Sequence, residues 1–452
     1  MQRPNLTKIA LVRVLGCKVN QAEAAAMAAI LETKGFTVDS ESKEPDLVLV
    51  NTCCVTAKAE GKSRRLINRL ALEYPSALLV VTGCLAEINP EVGNSAHKSL
   101  VMGTFEKDRF ATFLDAHSED ESRIVRKGAS SCNTYGDLGS PAIPGRSRTF
   151  LKVQDGCSQR CTYCIVPIAR GPSRSMPRSA VLERAAELDR SGYSEIVLTG
   201  IHLGCYGRDL DPSITLEDLL EDLLCEPGRT RYRLSSVEPQ EITQRIIDLA
   251  ANNSRICRHF HVPMQSADDS VLSRMARPYD SAFIRDLTRR ILSEIPEACI
   301  GLDVMVGFPG EDDRSFENTR AMIEQSGAAY LHVFPFSPRP GTPAAKFGPR
   351  VASAVAARRV EELRTLSAKL RQTFHERFLG ATLTAVAESE PDPVTGTLIA
   401  RTDNYIPVRV VARHAEGLFQ VKLQEITSEG SLGSVSAYTN AQSKKQNRRN
   451  PS

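Results

Sequence analysis

The chain lacks any uninterrupted apolar run approaching the roughly 18 to 20 residues that a membrane span needs. Its opening residues, MQRPNLTKIALVRVLG, contain no apolar stretch followed by a small-residue cleavage site. Both absences point to a cytoplasmic protein with no membrane partner. An excess of one charge is missing as well: 57 Lys and Arg against 54 Asp and Glu leave a formal net charge of +3. So weak a field neither demands nor forbids a polyanionic partner, which must then be sought in local patches. A disulfide framework is also out of character, because a cytosolic chain of 452 residues keeps its thiols reduced and needs no staples. The 12 cysteines are therefore expected to serve metal or redox chemistry.

What is present suits a soluble globular protein, with 41% hydrophobic and 25% charged residues and length enough for two to four domains. Three apolar runs in the first 110 residues, KIALVRVLGC, PDLVLVNTC and ALLVVTGC, end alike, and their continuity suits strands buried on both faces of a parallel sheet. Helices are expected between them. Asn20 and Glu23 make a capping-box pattern, with Gly35 as the stop, and a second helix is expected over Ala57 to Glu73. Cys17, Cys53 and Cys84 fall one strand-helix unit apart, each just past the carboxyl end of its strand. In an open parallel sheet those ends form the ligand-binding edge, so three cysteines distant in sequence can converge there. The alternative is three separately buried thiols. Cys54, beside Cys53, is expected to point to the other face and stand aside.

After a stretch from His117 to Arg148 that reads as a linker containing an incidental Cys132, strand-like and helical runs alternate from TFLKVQ to YLHVFPF. Six such repeats give a partial (βα)6 barrel open on one side, or a doubly wound sheet. Val351 to Leu379 reads as one long helix with a basic face, either a solvated surface or a polyanion-binding one. From Gly380 onward short alternating segments describe a small all-β barrel of about 60 residues, and QSKKQNRRNPS is a basic, disordered tail.

The stretch VQDGCSQRCTYCIVPIARG holds Cys157, Cys161 and Cys164 and no fourth cysteine. A closed zinc site needs four ligands, so zinc would require a distant His or Cys, whereas three thiolates on a 4Fe-4S cluster leave one iron open. The spacing, with Tyr163 before the third cysteine and a strand before the loop, resembles the signature of the radical S-adenosylmethionine superfamily. That resemblance implies that the open iron binds S-adenosylmethionine and that one electron splits it to a 5′-deoxyadenosyl radical, able to abstract hydrogen from unactivated carbon.

Further motifs narrow the resemblance: GCKVNQAEA at Gly16, NTC at Asn51, TGC at Thr82, TGIHLGCYG at Thr199, LSSVEP at Leu234, PMQSADDSVLSRMARPY at Pro263, VGFPGE at Val306 and FSPRPGTPA at Phe336. Together with the three-cysteine loop they resemble the methylthiotransferase family over nearly the whole chain. The resemblance implies an N-terminal cluster domain (1–116), a linker (117–147), a radical core (148–379), an RNA-binding TRAM module (380–440) matched by NYIPVRV, and the tail (441–452). It also implies a second 4Fe-4S cluster on Cys17, Cys53 and Cys84 that delivers sulfur, while a second S-adenosylmethionine supplies the methyl group. Cofactor contacts carried over are Tyr163, Thr199, Gly200, Glu238 and Gln265; His202 is read as a core histidine and Cys205 as no ligand. Implied partners are tRNA, an electron donor such as a flavodoxin or ferredoxin, and a sulfur donor. GCKVNQ, AEGKSRR and TGIHLG resemble the subgroup that modifies C2 of N6-threonylcarbamoyladenosine beside the anticodon. Competing readings are a sister enzyme for isopentenyladenosine in tRNA or for a ribosomal-protein aspartate, a non-catalytic two-cluster electron carrier, and a zinc-containing RNA-binding protein.

Overall fold

Six parallel strands make the N-terminal sheet: β1 Lys8–Val14, β2 Phe36–Val38, β3 Leu47–Thr52, β4 Leu78–Gly83, β5 Ser99–Met102 and β6 Arg123–Val125, in the order β2-β1-β3-β4-β5-β6. The computed structural model describes residues 8–438 except 94–95, 97, 118–121, 130–132, 140–146, 389–391, 393–394, 412–416 and 428–429; Cys132 and the tail 441–452 lie outside the described residues. Helices α1 Lys18–Thr33, α2 Ala57–Glu73, α3 Cys84–Ile88 and α4 Phe110–Asp115 cover the two faces. One core packs Val48, Val50 and Val81 against Ile67 and Leu70, the other Leu47, Leu49 and Val80 against Met27, Leu31 and Phe110. With both faces covered, the continuous apolar runs are accounted for. The edge strand β6 lies within the stretch expected as a linker; at three residues, mostly exposed, it carries no apolar period to betray it.

The boundaries of helix α2 match the sequence expectation, with Thr56 capping through its hydroxyl. The expected capping box of α1 does not form. Cys17 occupies the N-cap without a side-chain cap bond, while Asn20 donates to the Leu15 and Thr52 carbonyls at 2.6 and 2.9 Å. Glu23 is fully buried among cations instead. A local pattern has been overridden by tertiary demand.

The central domain is a partial barrel of β7 Arg148–Lys152, β10 Glu195–Thr199, β11 Arg231–Leu234, β12 His259–Gln265, β13 Cys299–Val306 and β14 Tyr330–Pro335. These form two parallel three-stranded sheets, joined through the parallel bridges Tyr232↔Ile256 and Ser236↔His261. A short antiparallel bracket, β8 Gln154–Asp155 with β9 Arg174–Ser175, closes the base of the cysteine loop. The helices are α5 Val166–Arg170, α6 Arg178–Arg190, α7 Leu216–Cys225, α8 Gln244–Asn252, α9 Asp269–Arg274, α10 Ser281–Glu294 and α11 Asp313–Gln325. On α10, Ile284, Leu287 and Ile291 recur at helical spacing and are completely buried, each stabilising the fold by about 1.5–3 kcal/mol. Helix α1 lies against β7, so the N-terminal domain sits beside the edge of the barrel.

Helix α12, Ser353–Glu376, is less of a free basic face than its sequence suggests. Arg359 is buried against Glu311 and Asp313, and Arg358 and Arg364 pair with acidic neighbours. Beyond it β15 Thr382–Ala387, β16 Thr397–Thr402, β17 Pro407–Val411, β18 Leu418–Thr427 and β19 Gly430–Tyr438 close into a barrel, order β15-β16-β17-β19-β18. This small barrel is seated on the amino ends of β10 and β11. Buried Glu195 holds Arg231 and Arg233, which donate to the carbonyls of Thr384, Arg401, Thr402 and Asp403 at 2.9–3.1 Å. Tyr405 stacks on His259 with ring centroids 3.9 Å apart.

Candidate active site: two three-thiol centres and the arginines between them

The order of the N-terminal sheet reverses between β1 and β3, which opens a crevice at their carboxyl ends. Cys17 and Cys53 follow those two strands and Cys84 follows β4, as their spacing predicts. The thiols lie close enough that a charge on one disfavours charge on the others. Two glycines permit this. A Cβ on Gly16, at φ +106°, would stand 2.9 Å from Cys53 Cβ and 3.1 Å from its Sγ, and one on Gly83 would strike the Thr52 carbonyl at 2.5 Å. Cys17 is exposed, while Cys53 and Cys84 are buried. Burial pushes the Cys53 thiol up to about 12.

Cys54 is a direct neighbour of Cys84. Its side chain hydrogen-bonds Cys84, and this bond, against burial and with help from Arg170, brings Cys84 down to about 6. Cys54 packs with Val50, Ile67 and Leu70 in the apolar cluster under α2. Cys84 is in that same apolar cluster, at the start of α3.

The second triad hangs from β7 and β8. Gly156, at φ +71°, turns the chain where any Cβ would lie 1.9 Å from the Pro172 carbonyl. Cys157 N–H donates to the Gly171 carbonyl at 3.0 Å and Cys164 N–H to that of Cys161 at 3.1 Å. These bonds fold the loop back on itself and bring the three thiols within electrostatic reach. Ile165 and Ala169, which follow the loop, pack into the core of the N-terminal domain. The two triads are thus tied to one apolar cluster.

Among the other candidate residues, Tyr163 lies within this loop, and Thr199, Gly200 and Glu238 connect to it through Val153, Gln154 and Arg277. Tyr163 is half-buried beside Phe308, ring centroids 6.4 Å apart. Thr199 is buried, its carbonyl accepting Val153 N–H at 2.9 Å. A Cβ on Gly200 would meet Gln154 Oε1 at 2.8 Å, the atom that accepts His202 N–H at 2.7 Å. Glu238 is ion-paired with Arg277, and burial nevertheless raises its carboxyl above the ordinary range. Gln265 ends β12 at φ +65°, strained for a residue with a side chain, and its buried Oε1 has no partner among the described residues. An unpartnered buried carbonyl at the end of a barrel strand is an acceptor left open for the N–H donor of a ligand.

Sequence reasoning missed three features. Arg277 Nη1 donates to Cys161 Sγ at 3.2 Å, and Arg170 Nε to Cys84 Sγ at 3.3 Å. His202, read as a core residue, lies with Nδ1 3.5 Å from Cys157 Sγ and Nε2 2.9 Å from Glu241, with Cys205 Sγ also 3.5 Å away. The arginines belong to the ARG and MAR motifs quoted above, but nothing local assigns their partners. Each triad offers three sulfurs, the donor set of a 4Fe-4S cluster with one iron open.

Residues 9–103 match the model of Uncharacterized protein family UPF0004, and residues 151–323 that of the Radical SAM superfamily. The chain is 35% identical to the threonylcarbamoyladenosine tRNA methylthiotransferase MtaB of Bacillus subtilis, over 87% of this chain and 88% of that one. Against the MtaB of Thermotoga maritima the identity is 31%, over 94% and 96%. The tRNA-2-methylthio-N(6)-dimethylallyladenosine synthase of Pelotomaculum thermopropionicum is 31% identical over 86% and 88%. Among solved structures, the radical S-adenosylmethionine methyltransferase TsrM of Kitasatospora setae shares the fold, with a TM-score of 0.54, 16% identity and coverage of 75% and 77%. Family models over both cluster-bearing segments and relatives aligned over most of their length lead to one assignment. The chain belongs to the MtaB-type methylthiotransferases, radical S-adenosylmethionine enzymes that work with two 4Fe-4S clusters and S-adenosylmethionine.

Proposed function

We propose that this enzyme inserts a methylthio group at C2 of N6-threonylcarbamoyladenosine next to the anticodon of tRNA. The observation that carries the reading is the presence of two three-thiol centres tied to one apolar cluster, in a chain whose relatives bearing that name align over nearly their whole length. Cys157, Cys161 and Cys164 would hold the cluster that, with S-adenosylmethionine, supplies the hydrogen-abstracting radical, and Cys17, Cys53 and Cys84 the cluster that supplies sulfur. Arg277 fixes the loop of the first by binding Cys161, Glu238, Tyr279 and the Pro263 carbonyl at once. Tyr163, Thr199, Gly200, Glu238 and Gln265 line the place for S-adenosylmethionine, Gln265 by offering its free Oε1 to the amino group.

The domains divide the work as 1–116 for the sulfur-delivering cluster, 117–147 as connection, 148–379 for the radical and 380–440 for RNA, ahead of a basic tail. A small barrel can track a phosphate backbone and stack bases, and Ile399, Val411 and Tyr438 are exposed on this one. No described helix is long and apolar enough to cross a membrane, in keeping with a cytoplasmic enzyme served by a flavodoxin or ferredoxin and a sulfur donor. Mass spectrometry of tRNA nucleosides from a deletion strain decides the substrate. Loss of methylthio-threonylcarbamoyladenosine is expected. If that nucleoside persists and methylthio-isopentenyladenosine disappears, the dimethylallyladenosine-type reading takes its place.

A further inference from the structure

Arg170 closes α5, six residues beyond Cys164, and its side chain is wholly buried. All three guanidinium nitrogens are used. Nε donates to Cys84 Sγ at 3.3 Å; Nη1 to Glu23 at 3.0 Å and Asp155 at 2.8 Å; Nη2 to Asn20 at 2.6 Å and Glu23 at 3.2 Å. The next residue, Gly171, accepts the backbone N–H of Cys157. Two adjacent residues therefore touch one cysteine of each triad, although Cys84 and Cys157 are far apart in sequence. A Cβ on Gly171 would lie 2.2 Å from the Ala129 carbonyl, so no side chain fits at this position.

We propose that Arg170 is a positioning residue for the cluster of Cys17, Cys53 and Cys84: its Nε–H···Sγ bond to Cys84 raises that cluster's reduction potential and fixes its place relative to the radical-generating centre. The inference rests on the reading that those three cysteines hold a 4Fe-4S cluster. Reduction adds a negative charge that spreads over the cluster sulfurs, so a hydrogen bond to a ligand sulfur stabilises the reduced form more than the oxidised one. Glu23 and Asp155 offset the charge of the guanidinium and hold its plane still. What remains for the sulfur is a donor aimed before the electron arrives. Lysine cannot reproduce this, because one ammonium on a flexible stem cannot reach the sulfur, Asn20 and two carboxylates together.

The test uses the full chain with Cys157, Cys161 and Cys164 changed to alanine, so that only the N-terminal cluster is loaded and Arg277 contributes nothing. Redox titration followed by electron paramagnetic resonance compares Arg170→Gln and Arg170→Lys with this parent. Both are expected to keep about four irons and to need a more negative potential, by at least the 59 mV that corresponds to a tenfold change in the reduced-to-oxidised ratio of a one-electron couple. An unchanged midpoint in Arg170→Gln overturns the proposal. Because that variant could fold poorly, the parent labelled with 15N-arginine provides a second readout. Its reduced cluster should show a 15N hyperfine coupling by pulsed resonance, and absence of that coupling overturns the proposal with no substitution at Arg170. A parent that binds no iron overturns the assignment of the triad itself, a different result from either of these.

Discussion

Replacing Glu23 with glutamine keeps its shape and removes a single charge, which isolates what the buried carboxylate does between the two cluster-bearing domains. Glu23 is fully buried and pairs with Lys107, with Lys152 at 3.2 Å and with Arg170 at 3.0 Å. Burial opposes its charge, yet those three cations hold its carboxyl well below the ordinary range. In the variant Arg170 and Lys152 retain Asp155, at 2.8 and 3.4 Å. Lys107, only 2% exposed, loses its carboxylate partner. One orphaned buried charge costs about 3–5 kcal/mol. For a cooperative unit of 150–250 residues at about 2–4 °C per kcal/mol, melting should fall by about 6–20 °C. Burial already lowers the Lys107 pKa, and losing Glu23 lowers it further. The unfolded chain then binds that proton more tightly than the folded one, so the variant's stability rises with pH and its deficit shrinks toward pH 10. Glu23→Gln/Lys107→Met, which removes both charges, should regain much of the loss. Scanning calorimetry of metal-free and iron-loaded protein between pH 7 and 10 makes the measurement. A single variant that melts with the parent, or a deficit independent of pH, would refute the electrostatic account.

Other outcomes follow from the same geometry. Cys17→Ala and Cys157→Ala should each leave about four of about eight irons per chain, read by iron and sulfide analysis, and only Cys157→Ala should abolish 5′-deoxyadenosine formation from S-adenosylmethionine. Cys54→Ser should keep about eight irons, since Cys54 contacts Cys84 from the apolar side; a fall to about four would make Cys54 a ligand. Gly156→Ala, which drives a methyl into the Pro172 carbonyl, should lose iron from the second triad while the first stays loaded, as resolved by electron paramagnetic resonance. His375, which contacts Ser431 at 3.0 Å, is held down to about 4 by burial, with Arg371 and Arg401 adding to the effect. The unfolded chain protonates it first, so stability is lost as pH falls from about 6.5 to about 4, by at most about 3 kcal/mol. His375→Gln should flatten that part of the melting profile.

The strand-end cysteines were legible because a parallel sheet converts a regular interval into a common edge, and the closing of α2 before Pro75 because its signals are local. The capping box of α1 misled for the opposite reason: Asn20 and Glu23 are committed to Arg170, about 150 positions away, and no short window contains both ends of such a contact. His202 is the buried, hydrogen-bonded histidine expected, but its contact with Cys157 was not legible, because Cys157 reaches it only through the fold-back of the loop after β8. The alternation of strands and helices was legible, but the choice of a partial barrel over a doubly wound sheet needed the bridges that join the two three-stranded sheets.

The seat of the C-terminal barrel has a consequence for how its sequence can drift. Arg231 and Arg233 grip four main-chain carbonyls, and every residue type supplies the same carbonyl. Substitutions at those four positions can therefore change the side chains of the module without loosening these bonds. This part of the seat is a fitting that accepts the backbone of the barrel whatever side chains those four positions carry.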